Sequence, residues 1–317
     1  MTTLLIIPLL VPLLLPFALP GLARRCLDRL APVAALWALT LTVLVLAGAS
    51  VAALGALLLT GLLKLPVLAG LGDLVHPLRT PSDLIVLPLA AAATGLLTVG
   101  AATLVRSALR QLRAFRTARS QADRGPAAGD LCVIESPHPD AYALPGRPHR
   151  IVVTTAMLRS LRPEEREVLF AHERAHNAGN HHRFLVAAEI AAHCHPGLRP
   201  VRDSIALAAE RAADEAAATA VGDRRLTARA IARAALATTA ARSTRPDFAA
   251  AATTGPVPQR VAALLATPGR RPRAATWIAT GIALLLVACA TVSASAAATG
   301  VLVFHHEVEI AQGEETR

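Results

Sequence analysis

The sequence predicts a mainly α-helical membrane protein of several spans, with a smaller α+β domain inserted before the last of them. Three observations predict it. The 317 residues are 54% hydrophobic and only 17% charged, with a mean hydropathy of +0.48, which is too apolar for one water-soluble domain. The apolar residues gather in long uncharged blocks towards both ends of the chain. The middle is polar and holds eight of the 11 histidines, between His138 and His195.

The first block, residues 2–23, carries no charge and is followed by Arg24 and Arg25. It is long enough to cross about 30 Å of hydrocarbon. A cleaved signal peptide fits it poorly: no basic segment precedes it, and Pro8, Pro12, Pro16 and Pro20 interrupt it. The second block, Leu30 to Leu63, exceeds one bilayer thickness at about 1.5 Å per residue, so one span and a hairpin both need weighing. One span over 32–60 and a third over 84–105 put Arg24, Arg25 and Arg29 on the same side as Arg106, Arg110, Arg113, Arg116 and Arg119. A hairpin separates them, against the preference of arginine for the cytosolic side, so one span is expected. The Lys64 to Asp83 loop then lies outside. The five arginines recur at helical spacing, as expected of a juxtamembrane helix near anionic headgroups of the lipid bilayer. The membrane domain therefore covers 1–119.

Ser120 to Asp130, with Gly125-Pro126 and Gly129, reads as a linker into a cytosolic domain over 120–273. Leu131–Glu135 and Arg150–Thr155 read as strands around the turn-rich Pro137 to Pro148. Pro163-Glu164-Glu165 opens a helix, with proline at the first position and carboxylates in the first turn. Further helices are expected over His182–Ala192, Asp203–Val221 and Leu226–Ala241, and 242–256 reads as a connection. Arg270, Arg271 and Arg273 precede a fourth span over 274–303, with Trp277 as an interfacial anchor. Residues 304–317, with Glu307, Glu309, Glu314 and Glu315, form an extracytoplasmic tail. This layout describes a multi-pass plasma-membrane protein whose histidine-rich domain faces the cytoplasm.

The net charge of +10 does not point to nucleic acid. The only lysine is Lys64, the arginines flank the apolar blocks, and one Tyr, two Trp and six Phe give little to stack on bases. Cys26, Cys132, Cys194 and Cys289 are scattered and form no disulfide framework or CxxC site.

The chemistry-bearing stretch is His172-Glu173-Arg174-Ala175-His176. On a helix, residues four apart share a face, so both imidazoles can address one ion. Glu173 sits about 100° round from His172, placed to work on a water rather than to ligate. Two histidines at that spacing also fit an ordinary helix with a wet face, so the remainder of a site decides. A catalytic zinc needs a third ligand, and three are open. Glu210 shares a helix face with Asp214 four residues on. His182 completes the pattern HExxHxxGxxH, although the methionine turn that accompanies that pattern is missing, since Met1 and Met157 both lie upstream. His193-Cys194-His195 contains donors, but neighbours on a helix point apart, and a helix end is the better reading there.

With these segments and the four-span layout assembled, the sequence resembles the BlaR/MecR-type antirepressor metallopeptidases, membrane gluzincins related to the HtpX-like and CAAX prenyl proteases. The stretch Ala141-Tyr142-Ala143-Leu144-Pro145-Gly146 followed by Ile151-Val152-Val153-Thr154-Thr155 resembles the strand and turn before their HExxH helix. The resemblance implies a zincin-like inserted domain, with Zn2+ held by His172, His176 and Glu210, Glu173 as general base and Asp214 supporting a ligand. It implies a protein or peptide substrate, a cytosolic DNA-binding repressor or the protease itself. Sensing members carry a large extracellular domain after the last span, whereas few residues follow Phe304 here, so proteolysis is expected without antibiotic sensing. The opposing class is a membrane signal receptor or anchor with a structural or vestigial zinc site. Glu173 argues against it, because a purely structural site needs no base beside its ligand.

Overall fold

The computed structural model describes residues 2–64, 83–125, 127–238, 256–266 and 273–312. The 65–82 part of the expected outer loop, most of the 242–256 connection, Arg270, Arg271, Glu314, Glu315 and the side chain of Trp277 lie outside the described residues.

The chain begins with α1 (Thr2–Leu14), a 3-10 turn (Leu15–Phe17) and α2 (Leu19–Arg29). Prolines four apart explain the break. Pro16 has no N–H to give the Pro12 carbonyl, and that carbonyl instead accepts from Ser50 Oγ at 2.7 Å. The axes of Pro8–Phe17 and Leu19–Arg29 differ by 50°. The first span expected over 2–23, with its interrupting prolines, falls on this bent pair, which reaches Arg29.

Next come α3 (Pro32–Leu62) and α4 (Asp83–Arg124), each one uninterrupted helix. The block over 30–63 is thus not a hairpin. At about 1.5 Å per residue α4 is about 63 Å long, so it runs on beyond a bilayer as a strut. The basic stretch belongs to this strut, and its continuation to Arg124 shortens the expected linker. The last described helix is α11 (Arg273–Gln312). Among the described residues, three helices are long and apolar enough to cross a membrane, Pro32–Leu62, Val86–Arg124 and Thr280–His306, and the bent pair counts as a fourth if it forms one span.

Between α4 and α11 lies a four-stranded sheet, β1 (Ala127–Ala128), β2 (Leu131–Ile134), β3 (Ala141–Leu144) and β4 (Arg150–Thr154), in the order β1-β2-β4-β3. β2 and β4 are parallel, and β3 lies antiparallel to β4 at the sheet edge, against the helix that carries His172. Residues 141–144 fall in the stretch read as turn from composition; the family resemblance had them as strand. Phe115, Ala118 and Ala122 of α4 close one face of the sheet with Cys132, Tyr142, Leu144 and Val152.

The helices that follow are α5 (Thr155–Ser160), α6 (Pro163–Ala178), α7 (His181–Cys194), α8 (Arg199–Val221), α9 (Arg224–Thr238) and α10 (Val257–Leu265). Pro163 opens α6 as expected, and Glu165 Oε2 accepts from the Arg162 N–H at 2.9 Å and from Arg233 of α9 at 2.7 Å, fixing the start of α6.

The segment between α4 and α11 does not stand apart from the long apolar helices. One core joins Leu36, Leu39 and Leu46 of α3 to Phe184 and Ala188 of α7, Ile205 and Ala208 of α8, and Ile282 and Leu286 of α11. The rings of Trp37 and Phe184 meet edge to face, 4.8 Å between centroids. A polar clasp adds to this on the other side of α7. Glu189 accepts from Ser107 of α4 at 3.1 Å and from Arg202 of α8 at 2.9 Å, and lies 3.1 Å from His193 Nε2. His193 Nδ1 in turn lies 3.1 Å from Thr103 Oγ1.

Candidate metal centre

The inward face of α6 is Glu165, Val168, Leu169, His172, Glu173, His176 and Asn177, all buried and spaced three and four apart. Its first turns pack the domain core through Val168 and Leu169, and its last two present the motif. His172 and Glu173 are fully buried and His176 nearly so. The face it meets is on α8, where Ala209, Ala213 and Ala217 are completely buried. These methyl side chains let the helices approach closely enough for the short reach of Glu210 and Asp214 to matter.

Nε2 of His172 and Nε2 of His176 are 3.0 Å apart. Glu210 faces both: Oε2 lies 3.5 Å from His172 Nε2, and Oε1 lies 3.6 Å from His176 Nε2. A tetrahedral ion with nitrogen and oxygen ligands about 2.0–2.1 Å away spaces its ligand atoms about 3.3–3.4 Å apart. The three distances bracket that value, the two to Glu210 ending on different oxygens of its carboxylate, and this triangle of His172, His176 and Glu210 is a group that could hold a metal ion.

Two carboxylates and a guanidinium back the triangle. Asp214 Oδ1 is 3.0 Å from His172 Nδ1. Arg260, from α10, is completely buried and bonds Asp214 through Nε at 2.8 Å and Nη2 at 2.6 Å, while its Nη1 reaches Glu210 Oε2 at 3.0 Å. Glu173, Glu210 and Asp214 thus place three buried carboxylates around the buried guanidinium of Arg260. Burial disfavours charge on His172, but the bonds to Asp214 and Glu210 outweigh it and lift its pKa to about 9. Burial would likewise raise Glu210, but Arg260 and the two imidazoles prevail and hold it down at about 2. His176 is pushed well below the usual histidine range by burial. The cluster attracts positive charge, whether a proton or a metal ion.

The structure brings together His172, Glu173, His176, Glu210 and Asp214. It does not bring His182 into the group: that ring is only partly buried, with Arg183 and His149 as its charged neighbours. His193 and His195 are separate from the centre and from each other. His193 belongs to the clasp with Glu189 and Thr103, and His195 follows the end of α7 with its Nε2 3.0 Å from the Leu13 carbonyl. Two members were missed. Arg260 lies 46 residues beyond Asp214, in a sequence where arginine is too common to single out. His181 has Nδ1 2.8 Å from Nδ1 of His176; the HExxHxxGxxH pattern drew attention to His182 beside it.

Residues 106–195 match the model of peptidase family M48. The match runs from the basic C-terminal part of α4 through the sheet, His172, Glu173 and His176 to the end of α7, and stops before Glu210. Comparison with curated proteins and with solved structures gave no match. Taken with the histidine and glutamate triangle, the match to peptidase family M48 supports reading this chain as a metallopeptidase.

Proposed function

We propose that the chain is an integral-membrane zinc endopeptidase whose catalytic centre faces the cytosol. The observation that carries this is the convergence of two imidazole nitrogens and the Glu210 carboxylate on one buried spot, with Glu173 beside the first imidazole.

His172, His176 and Glu210 would hold the zinc. Bound there, it would supply Lewis-acid polarisation of a peptide carbonyl and a lowered pKa for a water. Glu173 would serve as the base, taking a proton from water and giving it to the leaving amine. Asp214 Oδ1, 3.0 Å from His172 Nδ1, is placed to hold the proton on that nitrogen, which would leave Nε2 as the lone-pair donor. Arg260 fixes the carboxylates of Asp214 and Glu210 relative to each other through bonds from one planar group. The residues therefore fit the ion in number, donor type and spacing. A substrate strand adds to the edge strand β3, which runs beside α6. The resemblance to antirepressor peptidases suggests a cytosolic DNA-binding repressor, or the chain itself, as the protein cleaved.

The experiment is cleavage of a casein-type substrate by purified full-length protein and by its Glu173→Gln variant, with zinc measured in both. The proposal expects both to hold zinc and only the first to cleave. Zinc without cleavage in either would favour the receptor with a structural site.

A further inference from the structure

We propose that His181 is the positioning residue of His176, holding that ligand's ring as Asp214 holds the ring of His172. The inference rests on the zinc reading above and adds a residue to it.

A ligating histidine presents one nitrogen to the metal and needs a partner for the other, which fixes both tautomer and ring orientation. For His172 the partner is a carboxylate, Asp214. For His176 it is another imidazole: Nδ1 of His181 lies 2.8 Å from Nδ1 of His176, and the rings meet edge to face at 4.8 Å and 85°. If Nε2 of His176 is to offer its lone pair, the proton of that ring sits on Nδ1 and is donated to His181. His181 must then accept at Nδ1 and carry its own proton on Nε2. A neutral imidazole can do so in only one of its two tautomers.

The backbone between α6 and α7 is shaped for this contact. Asn180 is the one described non-glycine residue in the left-handed region, φ 50°, a conformation asparagine tolerates better than most. It turns the chain so that His181, the first residue of α7, folds back on the last turn of α6. Gly179 supplies space rather than flexibility. Its φ of −77° suits any residue, but a Cβ there would lie 2.4 Å from His181 Nε2 and 2.7 Å from Cδ2. A side chain at 179 would have to displace the His181 imidazole, with the Ala175 carbonyl 3.1 Å away as its other near neighbour. Gly179, Asn180 and His181 act as a unit: room, turn and acceptor.

The test measures zinc affinity by chelator competition, in detergent, on full-length protein and on His181→Ala, His181→Asn, Gly179→Ala, the double variant Gly179→Ala/His181→Ala, and His172→Ala. Loss of such a partner costs about 10–100-fold in metal affinity. His181→Ala should weaken zinc binding by that factor. His181→Asn should stay near the parent, because its amide oxygen takes the place of Nδ1. Gly179→Ala should weaken binding nearly as much as His181→Ala, yet add little once His181 is already alanine. Wild-type affinity in His181→Ala, or an asparagine variant as weak as the alanine one, overturns the proposal. If the parent binds no zinc, or His172→Ala binds as well as the parent, the zinc reading itself fails. If His172→Ala loses zinc while His181→Ala keeps it, only the role of His181 falls.

Discussion

Arg260 and Asp214 form a two-bond fork, Nε to Oδ2 at 2.8 Å and Nη2 to Oδ1 at 2.6 Å, with the arginine completely buried. This links α10 to α8 directly behind His172. Breaking one side of a buried ion pair costs about 3–5 kcal/mol, because it strands the other charge. Arg260→Gln should therefore lower the melting temperature of the solubilised protein sharply. Arg260→Lys should recover only part of the loss, since an ammonium cannot reproduce the planar fork. An Arg260→Gln protein as stable as the parent would show that α10 is not fixed in this way.

Asp214→Asn keeps the shape of the side chain and removes its charge. Asp214 faces both His172 and Arg260, so the substitution should reduce zinc affinity by about tenfold or more and lower stability. Isothermal competition with a chelator and thermal melts read the two effects separately.

His195 gives a pH prediction. Burial pushes its pKa down, and the bond to the Leu13 carbonyl offsets this only in part. As pH falls through the ordinary histidine range near 6.5, the unfolded chain takes up a proton that the folded chain refuses. Stability contributed by the neutral ring is thus complete above about pH 6.5 and declines below it, by about 1.4 kcal/mol for each unit of depression. Melts of the parent and of His195→Asn from pH 7.5 to 5 should differ in slope, with the variant flatter on the acid side.

The clasp around Glu189 predicts coupling between α4 and α7. Glu189 is 21% exposed and bonds Ser107 and Arg202. Its truncation leaves the buried Ser107 hydroxyl without its acceptor, at about 1–3 kcal/mol, while the exposed Arg202 is free to turn to water. Glu189→Ala should destabilise the protein by that amount, and Ser107→Ala by less. In a double-mutant cycle the two should be non-additive, because they share one bond.

Much of this organisation was legible in the sequence where the signal is local. The i, i+4 spacing of His172 and His176, and of Glu210 and Asp214, already says that each pair shares a helix face, and the structure sets those faces against each other. Helices opened by proline, such as α6, were readable at their start for the same reason. What was not legible depends on contacts distant in sequence. Arg260 became visible only once α10 packed against α8. His181 was hidden because the HExxHxxGxxH pattern points to His182 beside it, whereas the left-handed turn at Asn180 brings His181 back onto His176. The break at Leu15–Phe17 is a local proline effect, but the Pro12 and Leu13 carbonyls next to it accept from Ser50 and His195, partners distant in sequence. The shared core of α3, α7 and α8 likewise does not follow from composition, since the apolar residues of α7 read equally well as the interior of a separate domain.

The central claim is that His172, His176 and Glu210 hold a zinc ion on which Glu173 acts. Its most direct test is zinc content and casein-type cleavage measured together on the purified parent, Glu210→Ala, His182→Ala and Glu173→Gln. The account predicts that Glu210→Ala loses both zinc and cleavage, that His182→Ala keeps both, and that Glu173→Gln keeps zinc but does not cleave. Zinc and cleavage surviving in Glu210→Ala but lost in His182→Ala would contradict it, as would cleavage that persists in Glu173→Gln.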